Sequence, residues 1–252
     1  MSLRGGRVPT GPLVGIIALL ALGVAASLAA AAKPPRIGVC PIFPGFKAHQ
    51  RRVRVKVIAY PGESDFGRAP IPPDARVERG SDHHVLVLQR GRCDLFEMFG
   101  ARYTGGRAHG WKAASTAKFD LHSTKLHHEG WTSADAAGLP ILPGLVRHGE
   151  VQRGAVRHAI RATFSQTRQA YIHPATHYAS DECARDLPPM GLRLRLSDRY
   201  YADNLDRFPR GSQSRAIFKA LYHYGIINAD NGGRGSNCSS PARAPTGGAT
   251  AT

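Results

Sequence analysis

The chain has 252 residues, with 34 Lys and Arg against 18 Asp and Glu, 12 His and four Cys, giving a formal net charge of +16. The excess is scattered along the chain and favours anionic surroundings: wall polymers, acidic polysaccharide, lipid headgroups or nucleic acid. An Arg-rich surface without a partner is the plainer reading of the same numbers. The export expected below argues against an intracellular nucleic-acid role, no zinc-finger or helix-turn-helix pattern revives it, and no nucleic acid is expected as a partner. No P-loop, dinucleotide fingerprint or GxSxG elbow is present, and no cofactor is expected.

The first residues are basic, with Arg4 and Arg7, and no acid stands before Glu63. Residues 11–32 are apolar and end in small side chains before Lys33. That order predicts a signal peptide over 1–32, cut after Ala31 or Ala32, and a secreted or extracytoplasmic protein. The stretch also has the length of a membrane span, so an uncleaved anchor over 11–32 stays open, and membrane contact is expected only through it. Cys40, Cys93, Cys183 and Cys238 then suit two disulfides in an oxidising compartment, with three pairings possible. Their spacing suits no metal or redox motif.

Residues 33–50 are Pro-rich (Pro34, Pro35, Pro41, Pro44) and read as an irregular leading segment. From Arg51 to Tyr60 valines alternate with Arg52, Arg54 and Lys56, the period of a strand with one strongly basic face. A turn-rich loop follows over 61–75. Residues 83–89 and 93–99 read as an antiparallel hairpin, with a Gly-rich loop from 100 to 111. Alternation over 118–126 is weak. In 132–146, Ser133 can cap a short turn over 134–137 that Gly138 ends, with Pro140 and Pro143 preventing its extension. Strands are expected at 155–164, 170–175, 191–197 (Leu192, Leu194 and Leu196 inward) and 226–227. One helix is expected from Gln213 to Tyr224, between Ser212 and Gly225, with Ile217, Leu221 and Tyr224 on one stripe. A tight turn at 230–233 precedes a disordered tail over 236–252. The expectation is a single mainly-β domain over 51–235, an antiparallel sandwich or jelly-roll with one C-terminal helix.

Several blocks occur together: SDHHVLVLQRGRCDLFEMF, GWTSADAAGLPILPGLVRHGEV, RHAIRATF, YIHPATHYAS, LPPMGLRLRLS and FKALYHYGIINADNG. Their combination resembles a family of secreted, largely uncharacterised bacterial proteins of actinobacterial type, most specifically in residues 130–146. The resemblance implies no established activity. It implies a longer segment between Cys40–Phe43 and the first strand than stands here, and an aromatic continuation after Gly232. A shortened or degenerate copy is the corresponding expectation.

Candidate chemistry centres on carboxylates. Glu97 shares strand parity with Leu95 and Phe99 and points inward, where burial raises a carboxyl pKa towards that of a general acid. Asp135 is its candidate partner for paired-carboxylate glycoside hydrolysis, or else a turn cap. His84 is a candidate base with Asp82 as its orienting carboxylate, or part of a polar turn. Trp131, Tyr178 and Trp111 are candidate sugar-stacking rings, with core packing as their alternative. His173 and His177 flank Pro174 in a way that disfavours a metal pair, and no metal is expected. Two functions follow: hydrolysis of a wall or environmental polysaccharide, or non-catalytic binding of an anionic polymer of the envelope through a basic surface. Convergence of Glu97, Asp135, Asp82 and His84 in one cleft distinguishes them.

Overall fold

A computed structural model of the chain describes residues 52–232 apart from 73, 90 and 106–109. The expected signal peptide or anchor, the Pro-rich leading segment, Cys40, Cys238 and the expected tail lie outside the described residues. Among the described residues no helix is long and apolar enough to cross a membrane.

The fold is mainly β. Its strands are β1 (Val53–Val57), β2 (Arg68–Ala69), β3 (Val85–Gln89), β4 (Asp94–Phe99), β5 (Arg102–Tyr103), β6 (Trp111–Ala113), β7 (Ser115–Asp120), β8 (Ile160–Phe164), β9 (Arg193–Leu194) and β10 (Ile226–Asn231). They form three sheets, ordered β2-β1-β6-β5, β3-β4-β7 and β8-β10-β9. Most pairs are antiparallel; β1–β6 and β8–β10 are parallel.

The first two sheets pack as a sandwich. Val55, Ala69, Trp111 and Ala113 of one share a buried cluster with Val85, Val87, Phe96 and Met98 of the other. The alternation in β1 is as expected, with Val55 buried and Arg54 and Lys56 exposed. The β3–β4 hairpin also matches, with Leu88 opposite Leu95 and Leu86 opposite Glu97. Its turn places Gly91 and Cys93 at positive φ. β4 lies at the centre of its sheet and is covered on both faces. Phe96 and Met98 face the sandwich core, while Leu95 packs with Ala117, Phe119 and Leu142 on the other side.

The weak alternation over 118–126 is displaced: the strand is Ser115–Asp120. Its inward residues on the Glu97 side are Ser115, Ala117 and Phe119, and two small side chains leave little hydrophobic signal to read. The strand expected at 170–175 reduces to a single bridge, Tyr171 to Met190. Pro174 offers no ladder donor there. Over 191–197 only Arg193–Leu194 pairs, on the edge of its sheet, and Leu194 is 44% exposed rather than inward. β10 runs past the expected turn, because Asp230 and Asn231 pair with Thr163 and Phe164 after a register shift.

The expectation of one helix is corrected. α4 (Gln213–His223) forms as read, with the Arg215 N–H donating to Ser212 Oγ at 3.2 Å and Gly225 at φ 79°. Ile217 and Tyr224 pack on Val151 and Val156. Three short helices join it: α1 (Ile141–Gly144), α2 (His148–Gln152) and α3 (Asp198–Asn204). At four to seven residues they are too short to show a helical hydrophobic period. α1 begins directly after Pro140, where a missing N–H costs nothing.

A buried ionic centre and a basic sheet face

The loop between β7 and α1 is fixed from within. Ser133 Oγ accepts from the Asp135 N–H at 2.9 Å and donates to the Leu139 carbonyl at 2.8 Å. Ser115 Oγ donates to the Ser133 carbonyl at 2.7 Å, and the Ala137 N–H reaches the Ala229 carbonyl at 3.0 Å. Ser133 thus organises the turn, as its position suggests, and the Asp135 carboxylate is left free for another partner.

That partner is Arg161 of β8. Its Nε and Nη2 donate to the two Asp135 oxygens at 3.2 and 2.8 Å, and Nη2 also donates to Asp230 Oδ2 at 3.2 Å. Asp135 is 1% exposed. Burial pushes its carboxyl up to about 6, against the pull of Arg161. Burial also opposes the charge on Arg161, but Asp135 and Asp230 outweigh it and raise its pKa further.

Glu97 points inward as its parity predicts and is 0% exposed. The N–H groups opening α1 close on it: Ile141 donates to both oxygens at 3.0 and 2.9 Å, and Leu142 to Oε1 at 3.0 Å. Burial dominates these donors and pushes the carboxyl up to about 8, helped by the nearby charge of Asp135.

His84 reaches the same loop. Its Nε2 lies 2.9 Å from the Ala134 carbonyl and its Nδ1 2.7 Å from Glu78 Oε2. Both neighbours are acceptors, so the ring satisfies both only with a proton on each nitrogen. That arrangement suits a clamp better than a general base. The orienting carboxylate is Glu78, not Asp82. Against a penalty from burial, the hydrogen bonds from His84 hold Glu78 below its ordinary range. Asp82 instead accepts from Ser81 Oγ at 3.0 Å and gives its carbonyl to Gly100. His83 at φ 49° breaks the assumed strand parity just before β3.

The structure therefore gathers Glu97, Asp135 and His84 around one loop and leaves Asp82 outside. The residues that complete the centre, Arg161, Asp230 and Glu78, were missed. Arg161 was visible only as the charged position inside an apolar strand pattern, and its partner lies 69 residues on.

The aromatic candidates separate. Trp111 is 5% exposed and packs in the sandwich core, the second of the two roles open to it. Trp131 is half-buried, 4.7 Å from the His128 ring and 5.7 Å from His127. Tyr178 stacks on His177 at 5.7 Å and on Tyr171 at 6.2 Å. His177 Nδ1 stands 2.8 Å from the Ala136 carbonyl and donates to it, so Tyr178 borders the centre. Among the described residues no three His, Cys, Asp or Glu side chains are grouped to hold a metal. Cys93 and Cys183 are disulfide-bonded.

The outer face of the first sheet has the opposite character. Across the strands Arg54 stands opposite Arg68, Lys56 opposite Lys112, and Lys112 opposite Arg102. All five are exposed except Lys112, which is half-exposed. No ion pair with a carboxylate reaches any of them among the described residues. All 18 acids of the sequence lie between residues 63 and 230, so the segments outside the described residues bring no carboxylate side chain to this face.

The chain matches no protein-family model, no curated protein and no solved structure.

Proposed function

We propose that this is an extracytoplasmic, non-catalytic protein that binds an anionic polymer of the envelope or its surroundings through its basic surface. The observation that carries this reading is how its charges are distributed. Several carboxylates are drawn inward: Glu97 and Asp135 are buried, and so is Asp94, which takes Arg92 at 3.1 Å and Lys118 at 3.3 Å. The cations of the first sheet remain unpaired and outward, which favours polyanions. The basic N-terminus followed by an apolar stretch, and the disulfide-bonded cysteines, support an oxidising location.

Hydrolysis by Glu97 and Asp135 is the weaker reading. A carboxyl that protonates a glycosidic oxygen must touch it, and neither group has exposed surface. Their raised pKa values come from burial, and their partners are a helix start and a buried guanidinium. The resemblance to secreted bacterial proteins in residues 130–146 fits either reading.

The test is binding of the full secreted protein to an acidic and a neutral polysaccharide across a salt series. Binding to the acidic polymer that weakens steeply with salt, without release of sugar ends, is the expected result. Equal binding to the neutral polymer, or release of new reducing ends, overturns it.

A further inference from the structure

We infer that the outer face of the β2-β1-β6-β5 sheet is the seat of a linear acidic polysaccharide, laid across the strands; this rests on the polymer-binding reading above and locates its site. Like charges directly opposite each other on a sheet are destabilising, and this face carries three such pairs. Basic residues on an edge strand have a protective role against pairing with other chains. Here the interior strands β1 and β6 carry them too, through Arg54, Lys56 and Lys112, so edge protection does not account for the pattern.

The register makes a row. Lys56, Lys112 and Arg102 lie in line on three neighbouring strands, and strands are spaced about 4.8 Å apart. Arg54 and Arg68 form a second, offset pair. A chain crossing the sheet meets a cation at each strand it passes. Arg68 holds its guanidinium in place through Nη2, which donates to the Arg52 carbonyl at 3.4 Å.

Shape agrees with a chain segment. Arg54, Lys56, Arg68 and Lys112, together with Phe66 and Trp111, line a cleft of about 1150 Å³. That is at or above the ~300–1,000 Å³ of pockets that take single small molecules, so a run of linked sugars suits it better than one free anion. A concave cleft does not match the plane of a bilayer. The outward side chains are cations, and Tyr103 pairs with Trp111 on the opposite face of the sheet. The two rings that reach the cleft, Phe66 and Trp111, are only 9% and 5% exposed, so it offers no open ring of the kind on which proteins stack the bases of single-stranded nucleic acid. Repeated oxyanions on a flexible sugar chain are the chemistry it fits.

The experiment compares the full protein, a face variant (Arg54→Gln, Lys56→Gln, Lys112→Gln) and an equally neutralised control on exposed C-terminal positions (Arg185→Gln, Arg210→Gln, Lys219→Gln). The probe is a polyuronate, with duplex DNA and anionic phospholipid vesicles alongside. All six side chains extend into solvent or half so, and unchanged melting curves check the folds. The face variant is expected to lose at least tenfold in polyuronate affinity at low salt, with a shallower salt dependence, while the control loses less than threefold. Equal losses in the two variants overturn the location and leave polymer binding intact. Tighter, face-dependent binding of DNA or vesicles than of polyuronate overturns the ligand class. A parent protein that binds no polyanion overturns the underlying functional reading itself.

Discussion

Arg161 grips Asp135 with two nitrogens, at 3.2 and 2.8 Å, and with one of them also reaches Asp230 at 3.2 Å. One guanidinium so joins the loop after β7 to both parallel strands of the C-terminal sheet. Replacing Arg161 by Ala leaves a buried carboxylate without a partner, a change that costs about 3–5 kcal/mol. Arg161→Lys loses the two-pronged contact and is expected to be nearly as harmful. The pair Asp135→Leu with Arg161→Met removes both charges and recovers most of the loss. Urea unfolding of the three variants measures this, and a double variant no better than Arg161→Ala would refute the argument.

Stability is expected to fall as pH rises from about 5 to 8. In the folded state Glu97 keeps its proton up to about 8, whereas the unfolded group releases it near 4.5. Across that window the folded state binds more protons, so each step up in pH favours unfolding. Asp135 adds the same sign between 3.8 and about 6. Asp65, Glu78 and Glu150, all held below their ordinary range, act oppositely and lose their contribution as pH falls below it. Melting temperature should therefore peak between about pH 4 and 5. Glu97→Gln should flatten the decline above pH 6, since an amide oxygen in the place of Oε1 still accepts from Ile141 and Leu142.

Gly138→Ala should be far worse than Gly91→Ala. Both glycines have positive φ, 72° and 82°, a conformation costing an ordinary residue about 1 kcal/mol. At Gly91 a methyl group meets open space. At Gly138 it would overlap Thr176 Oγ1 and the Trp131 carbonyl. Thermal melts should show a modest drop for the first and failure to fold, or a loss above about 3 kcal/mol, for the second.

Ser212→Ala should cost about 1 kcal/mol, because the hydroxyl accepts the Arg215 N–H at the start of α4. Hydrogen exchange should quicken at the Arg215 amide before it changes in β4. Uniform quickening across the chain would contradict a local cap.

What could be read in advance was local. The valine alternation of β1, the apolar hairpin of β3 and β4, and the Ser212-to-Gly225 frame of α4 each sit within a dozen or so residues. The inward turn of Glu97 followed from strand parity alone. Arg161 and Asp230 could not be matched beforehand, because their meeting depends on a parallel pairing of positions 69 apart in the chain. β7 escaped notice because its inner residues Ser115 and Ala117 are small, and the Leu194 exposure reflects an edge that only the sheet order defines. The basic side of β1 was legible, but its extension through Lys112 and Arg102 required the register.

The Arg161 contacts also order events in time. A ribosome delivers Asp135 first, Arg161 26 residues later and Asp230 69 residues after that. At about 5–20 residues per second, the interval from the first to the last is roughly 5–20 s. During it the first two sheets already have all their strands, while the loop that should seal over Glu97 lacks its anchor. A nascent chain arrested within that interval is expected to expose residues 132–146 to protease, and release past Asn231 to protect them.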